Sequence, residues 1–193
     1  MANAPLAESP LANVFLSIGS NIEPTKHIGA AADALTHAFG EVIFSSVYGS
    51  EPVGFVGDNF LNLVVRLQTS ATVAEVQCWC KEYEQRNGRD LNAAKFTPRT
   101  IDLDVLLYDQ CIHPASAAQH LPQLPRAEIT TSAFVLKPLA ELVPHWRHPE
   151  LRETYQSLWQ SFEQQPVAEQ QRLWLVDFDW ATAFNSSAKP LSR

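Results

Sequence analysis

Pro98-Arg99-Thr100-Ile101-Asp102-Leu103-Asp104 is the segment best equipped for chemistry. In an extended backbone the carboxylates of Asp102 and Asp104, two residues apart, project from the same face. Acids this close repel, and one pKa is raised unless a cation comes between them. Hard oxygen ligands suit Mg2+, which keeps several waters and takes its remaining ligands from phosphate. A pair of such ions can bridge the attacking and leaving oxygens in phosphoryl transfer. Arg99 precedes the pair, and Arg89 and Lys95 stand in the polar stretch 88–99. Positive side chains facing a metal-binding acid pair neutralise the charge a triphosphate develops in its transition state. Taken alone, the two acids also fit an ordinary solvated strand edge.

Phe60-Leu61-Asn62 carries a second signal. Strand alternation turns Phe60 and Asn62 away from the apolar row Leu61, Leu63, Val65. An aromatic ring and a primary amide on one face can hold a flat heterocycle by stacking and paired hydrogen bonds, or can form a second core layer beneath a loop. Gly19-Ser20-Asn21 is a tight turn that brings the Asn21 amide towards any ligand at the strand end. It lacks the glycine spacing of the nucleotide-binding fingerprints. The six histidines form no metal-ligand pair on a helix, and the five tryptophans read as packing.

The elements that must position these residues follow from periodicity. Residues 14–18 and 42–48 read as buried strands, and 60–68 and 101–108 as strands with clean alternation. Along the last, Ile101, Leu103, Val105 and Leu107 are expected on one face, and Asp102, Asp104, Leu106 and Tyr108 on the other. Helices are predicted over 25–39, ended by Gly40, and over 73–86, opened by a Thr72–Glu75 capping box. Residues 109–126 look irregular. Further helices are expected over 131–142, with Pro138 breaking or restarting the first, and over 150–163. An extra strand or packed extension is expected within 172–182. The order β-α-β-β-α-β predicts an α+β, ferredoxin-like antiparallel sheet with helices on one face and additional C-terminal helices. Residues 1–12 read as a flexible arm, 13–163 as the working domain and 164–193 as an extension packed on it.

Composition bounds the partners. The 193 residues are 46% apolar and 18% charged, which suits one folded domain and excludes a disordered chain. A net charge of −7 argues against a nucleic-acid binder but leaves room for a local phosphate site. Three cysteines make no disulfide framework. No secretory signal or membrane-length apolar run is visible, so a soluble, cytoplasmic monomer is expected.

In chain order, the segments Leu16-Ser17-Ile18-Gly19-Ser20-Asn21, Ser50-Glu51-Pro52-Val53-Gly54, Phe60-Leu61-Asn62, Glu84 with Gly88-Arg89, Pro98 to Asp104, and Phe134 to Glu141 resemble the hydroxymethyldihydropterin pyrophosphokinases. The resemblance covers residues 14 to about 162, and the Pro98–Asp104 block is its most specific part. It implies transfer of the pyrophosphoryl group of MgATP to 6-hydroxymethyl-7,8-dihydropterin, with AMP leaving. It further implies that Asp102 and Asp104 hold two Mg2+ ions. Asn62 would hydrogen-bond the pterin, Phe60 and Phe134 would sandwich it, and Ser50, Val53 and Asn21 would complete its pocket. Arg89, Arg99, Lys95, Glu84 and Arg126 would serve the nucleotide, with Arg89 and Arg99 catalytic alongside the acids. The chain departs from the family pattern at Arg126, where a His is common, and at Ser132, where an Arg is common. It also departs in the 88–99 loop, at Leu91, Asn92 and Phe96. These departures motivate an alternative, a degenerate relative that binds pterin or nucleotide without transfer.

Overall fold

The computed structural model describes residues 10–52, 54, 56–89, 98–116 and 121–187. Among these, β1 (Ala12–Ser20), α1 (Pro24–Phe39), β2 (Val42–Phe44), β3 (Val47–Ser50), β4 (Phe60–Thr69), α2 (Val73–Arg86) and β5 (Asp102–Tyr108) come first. They are followed by α3 (Glu128–Thr131), α4 (Ala133–Leu142), α5 (Tyr155–Glu163), α6 (Pro166–Gln170), β6 (Leu173–Val176) and α7 (Trp180–Ser187). The strands form one antiparallel sheet in the order β5-β1-β4-β3-β6, with β2 also on β4. No described helix is long and apolar enough to cross a membrane.

Local signals set the element ends. Pro24 opens α1, and Gly40, at φ 82, closes it by donating its N–H to Thr36 O. At α2 the capping box forms in both directions: Glu75 N–H donates to Thr72 Oγ1 and Thr72 N–H to Glu75 Oε2, an arrangement that contributes about 1 kcal/mol. The row Leu63, Val65 and Leu67 of β4 packs with Ile28, Leu35, Val76 and Cys80 from α1 and α2.

Four expectations are corrected. The strand predicted over 42–48 is two strands, because the ladder is interrupted at Ser45 and Ser46: Ser45 N–H still donates to Val64 O, but Ser45 Oγ accepts the Val64 N–H, and Ser46 N–H donates to Glu141 Oε1. Alternation fails at the end of β5. A bulge between Phe15 and Leu16 shifts the β1–β5 register, so Leu106 and Leu107 both join the second core while Tyr108 packs against the first. Pro138 does not break α4. The ring lies buried in a helix whose Val135, Leu136 and Leu139 are also buried, and that burial offsets the lost backbone bond. The last predicted helix begins at Tyr155, not near 150. A turn precedes it, in which His148 Nδ1 accepts from the Glu150 and Leu151 N–H groups.

A fifth expectation, helices on one face of the sheet, is corrected as well: they cover both, because the strands bury apolar side chains on each face. While α1 and α2 take one, α4 and α5 bury Phe15, Val64 and Leu106 on the other. Glu141 fastens α4 to the sheet, accepting from Ser46 N–H and Oγ and from Tyr48 OH.

The C-terminal segment joins the sheet. Strand β6 pairs with β3, setting Trp174 opposite Gly49 and Leu173 opposite Ser50. Helix α7 packs on α1, with Ala183 fully buried against Gly29. At Gly49 the indole of Trp174 fills the space a Cβ would need. Gly49→Ala is therefore expected to cost about 1–3 kcal/mol and to move Trp174 towards solvent. Urea unfolding followed by tryptophan fluorescence checks this; an unchanged midpoint would show that β6 docks without that contact.

Candidate active site

One row of paired residues forms the floor of the site. Gly19 of β1 lies opposite Asn62 of β4 on one side and opposite Asp102 of β5 on the other. Two strand spacings place Asn62 and Asp102 about 10 Å apart. Between them Gly19 presents no side chain. A Cβ there would stand 3.2 Å from Asn62 Oδ1, so glycine keeps the floor open. Above it is a cleft of about 750 Å3, lined among others by Ser50, Phe60, Asn62, Lys81, Arg89, Arg99, Asp102, Asp104, Arg126 and Phe134.

The acid end is ringed by cations. Asp102 Oδ1 accepts from Arg89 at 2.6 Å and from Arg99 at 3.3 Å. Asp104 is held on both oxygens, by Lys81 at 3.3 Å and Arg126 at 3.0 Å. Burial alone would raise the Asp104 pKa, but Lys81 and Arg126 outweigh it and hold the carboxyl below its ordinary value. Arg89 is shifted in the opposite sense. Its burial opposes the charge, while Asp102 and Glu84 keep its pKa above the usual arginine value.

Lys81 was not singled out from the sequence. Its Nζ donates to both Glu84 oxygens, to Leu103 O and to Asp104, joining α2 to β5. The available signal was its place one turn from Glu84 and beside buried Cys80, where a long stem can run along the helix and keep its charge at the cleft.

Two predicted residues lie behind the wall, not in it. Glu84 is fully buried, with its carboxylate engaged by Lys81, Arg89 and the N–H of Leu103. Burial pushes its pKa up, against the pull of Lys81 and that N–H. It is not among the residues that line the cleft, and it ties α2 beneath the acid pair. Glu84→Ala strips partners from two cations and a buried amide, and is expected to cost about 3 kcal/mol. Chemical denaturation measures this, and a loss below about 1 kcal/mol would mark the network as dispensable. Asn21 is likewise a brace. Its Oδ1 accepts from Arg99 N–H at 2.7 Å and its Nδ2 donates to Asp58 O at 3.1 Å, which joins the end of β1 to the Arg99 backbone.

At the other end Asn62, nearly buried, donates from Nδ2 to Ser50 Oγ at 3.0 Å. Phe60 and Phe134 both line the cleft, from β4 and from the first turn of α4. Arg126 is fixed by its own N–H on Leu106 O, which aims its side chain at Asp104. Val53 and Lys95 lie outside the described residues, as do Leu91, Asn92 and Phe96.

Among the described residues no group of three or more His, Cys, Asp or Glu is arranged to hold a metal. Two carboxylates on one face nevertheless fit a hard cation that arrives with phosphate, since Mg2+ often takes one or two carboxylates and completes its shell with water and phosphate oxygens.

An acid pair in a ring of cations, one row from an amide and two aromatics, has the make-up of a nucleotide-dependent transferase site for a flat co-substrate. The sequence profile of the family 7,8-dihydro-6-hydroxymethylpterin-pyrophosphokinase (HPPK) matches residues 15–144. The chain belongs to this family. It is 35% identical over 147 residues to the 2-amino-4-hydroxy-6-hydroxymethyldihydropteridine pyrophosphokinase of Pseudomonas aeruginosa, covering 72% of this chain and 85% of that protein. To the enzyme of the same name from Aquifex aeolicus it is 33% identical over 145 residues, covering 74% and 87%. Against the folic acid synthesis protein fol1 of Schizosaccharomyces pombe, identity is 31% over 156 residues, and the match spans only 20% of that longer protein. Among solved structures, the wild-type HPPK-DHPS of Plasmodium falciparum with pterin and p-hydroxybenzoate superposes with a TM-score of 0.62 at 14% identity, over 86% of this chain and 45% of that one. At that identity the likeness concerns the fold alone.

Proposed function

We infer that the chain transfers the pyrophosphoryl group of ATP to the hydroxymethyl oxygen of 6-hydroxymethyl-7,8-dihydropterin, giving AMP and the pterin diphosphate. The observation that carries this reading is the row Asn62–Gly19–Asp102, which sets a heterocycle-binding amide about 10 Å from a metal-type acid pair on one open floor. The pterin lies at the Asn62 end, hydrogen-bonded by the amide, flanked by Phe60 and Phe134 and bounded by Ser50. The triphosphate lies over Asp102 and Asp104. A second groove of about 850 Å3 opens between α2 and residues 115–116 and 121–128 and shares Gln77, Lys81, Arg126 and Glu128 with the cleft. It offers room for the nucleoside.

Asp102 and Asp104 would hold two Mg2+ ions, which would supply charge neutralisation for the phosphates when bound. When the carboxylates take up that role, Arg89, Arg99, Lys81 and Arg126 are freed to meet phosphate oxygens at the same place. These side chains orient the β-phosphorus towards the pterin oxygen and offset the charge on the departing AMP. A strong protein base is not required, because phosphoryl transfer depends mainly on positioning and electrostatics.

The strand order, counting β2 and β3 as one interrupted strand, supports a ferredoxin-like sheet with β6 added at its edge. Residues 13–163 are read as the catalytic unit and 164–193 as an extension, whose described part, 164–187, packs on it, in a cytoplasmic monomer.

AMP release from MgATP with and without the pterin tests the reaction. Pterin-dependent AMP without ADP is the expected result. Pterin binding without AMP would favour the degenerate alternative, and no pterin binding would overturn the reading.

A further inference from the structure

Helix α4 begins without a cap of its own. Ser132, at its N-cap position, makes no side-chain hydrogen bond to the helix, so the first N–H, that of Ala133, needs an acceptor from elsewhere. Gln171 supplies it. Its Oε1 accepts from Ala133 N–H at 2.8 Å, and its Nε2 donates to Thr131 O at 2.9 Å. One amide thus holds the backbone on both sides of the α3–α4 junction, and the next residue along is Phe134.

The same short segment also reaches the opposite wall. Two residues after Gln171, β6 begins, and Leu173 pairs with Ser50, whose Oγ accepts from Asn62. Trp174 lies flat against Gly49. Gln171 itself lines the cleft. A smaller cavity of about 200 Å3 has Ser50, Phe134, Gln171 and Leu173 among its walls. Gln171, Leu173 and Trp174 all lie beyond the family match at 15–144.

We propose that Gln171 is a positioning residue for the pterin end of the cleft. By capping α4 in place of Ser132 it fixes Phe134, while β6 fixes Ser50, so the C-terminal segment sets the spacing between the two walls that grip the ring. The proposal rests on the reading of that end as the pterin pocket. A side-chain oxygen at a helix N-terminus is a directional restraint as well as a stabilising one. Its loss should therefore loosen Phe134 without disturbing the acid pair, which stands on α2 and β5.

The test compares wild type, Q171L and Q171E in the full chain, by calorimetric binding of 6-hydroxymethylpterin with a non-hydrolysable ATP analogue present and of that analogue alone, with KM for each substrate and kcat measured in parallel. Q171L should weaken pterin binding, and raise the pterin KM, on the order of tenfold. The nucleotide affinity and kcat should stay close to wild type, and the unfolding midpoint should fall only by the small amount that loss of one helix cap brings. Q171E keeps the acceptor for Ala133 N–H and adds a charge favoured at a helix N-terminus but gives up the donor to Thr131 O, so it should recover part of the pterin affinity. Unchanged pterin binding in Q171L, an equal loss for nucleotide and pterin, or failure of Q171E to recover each overturns the proposal. Q171A gives the same decision should Q171L not fold. A wild-type protein that binds no pterin overturns the functional reading, and this proposal with it.

Discussion

Asp104→Ala is expected to lower pterin-dependent AMP release about 1,000-fold, equivalent to about 4 kcal/mol of transition-state stabilisation. The fold should survive. Asp104 retains about a fifth of its side-chain exposure, and its ion pairs with Lys81 and Arg126 are only partly buried, so together they stabilise the chain by about 1 kcal/mol. Lys81 keeps Glu84 and Leu103 O as partners when Asp104 is gone. The loss should therefore fall on catalysis, with near-native circular dichroism and unfolding midpoint. Steady-state assay of AMP at saturating MgATP checks it. Turnover at the wild-type rate would remove Asp104 from the metal site and with it the proposed placement of the triphosphate.

The second large effect concerns recognition. Asn62→Ala is expected to weaken pterin binding roughly 30- to 100-fold, about 2–3 kcal/mol, because a buried polar edge of the ligand would lose its partner. Ser50 Oγ would lose its donor in the same step. Nucleotide binding should change by less than about threefold, since the phosphates are met two strands away, at Asp102 and Asp104. Calorimetry with each ligand separates the two. Equal losses for pterin and nucleotide would mean that Asn62 supports the sheet, not the ligand.

Much of the site was legible in the sequence because its chemistry is local. The spacing of Asp102 and Asp104 sets their shared face on any strand, and the alternation around Leu61, Leu63 and Val65 turns Phe60 and Asn62 the other way; both hold in β5 and β4. Capping signals at Thr72 and Gly40 bound the helices where they were expected, since each depends on residues within one turn. Lys81 and Gln171 were not legible. A lysine on a helix and a glutamine in a polar stretch are ordinary surface residues until packing brings Asp104 to one, and the first turn of α4 to the other.

Residue type and short-range spacing therefore determined which groups can do chemistry: an acid pair, an amide with an aromatic, and a set of cations. Their joint placement was decided by tertiary structure. Strand order put Gly19 between Asn62 and Asp102. The register shift at Phe15 and Leu16 sent Leu107 to the α4 face. The burial of Glu84 made it the anchor of Lys81, Arg89 and the Leu103 amide. Periodicity reports which way a side chain points along its own element, whereas strand pairing and burial arise from contacts between residues far apart in the chain, and only the folded core fixes those.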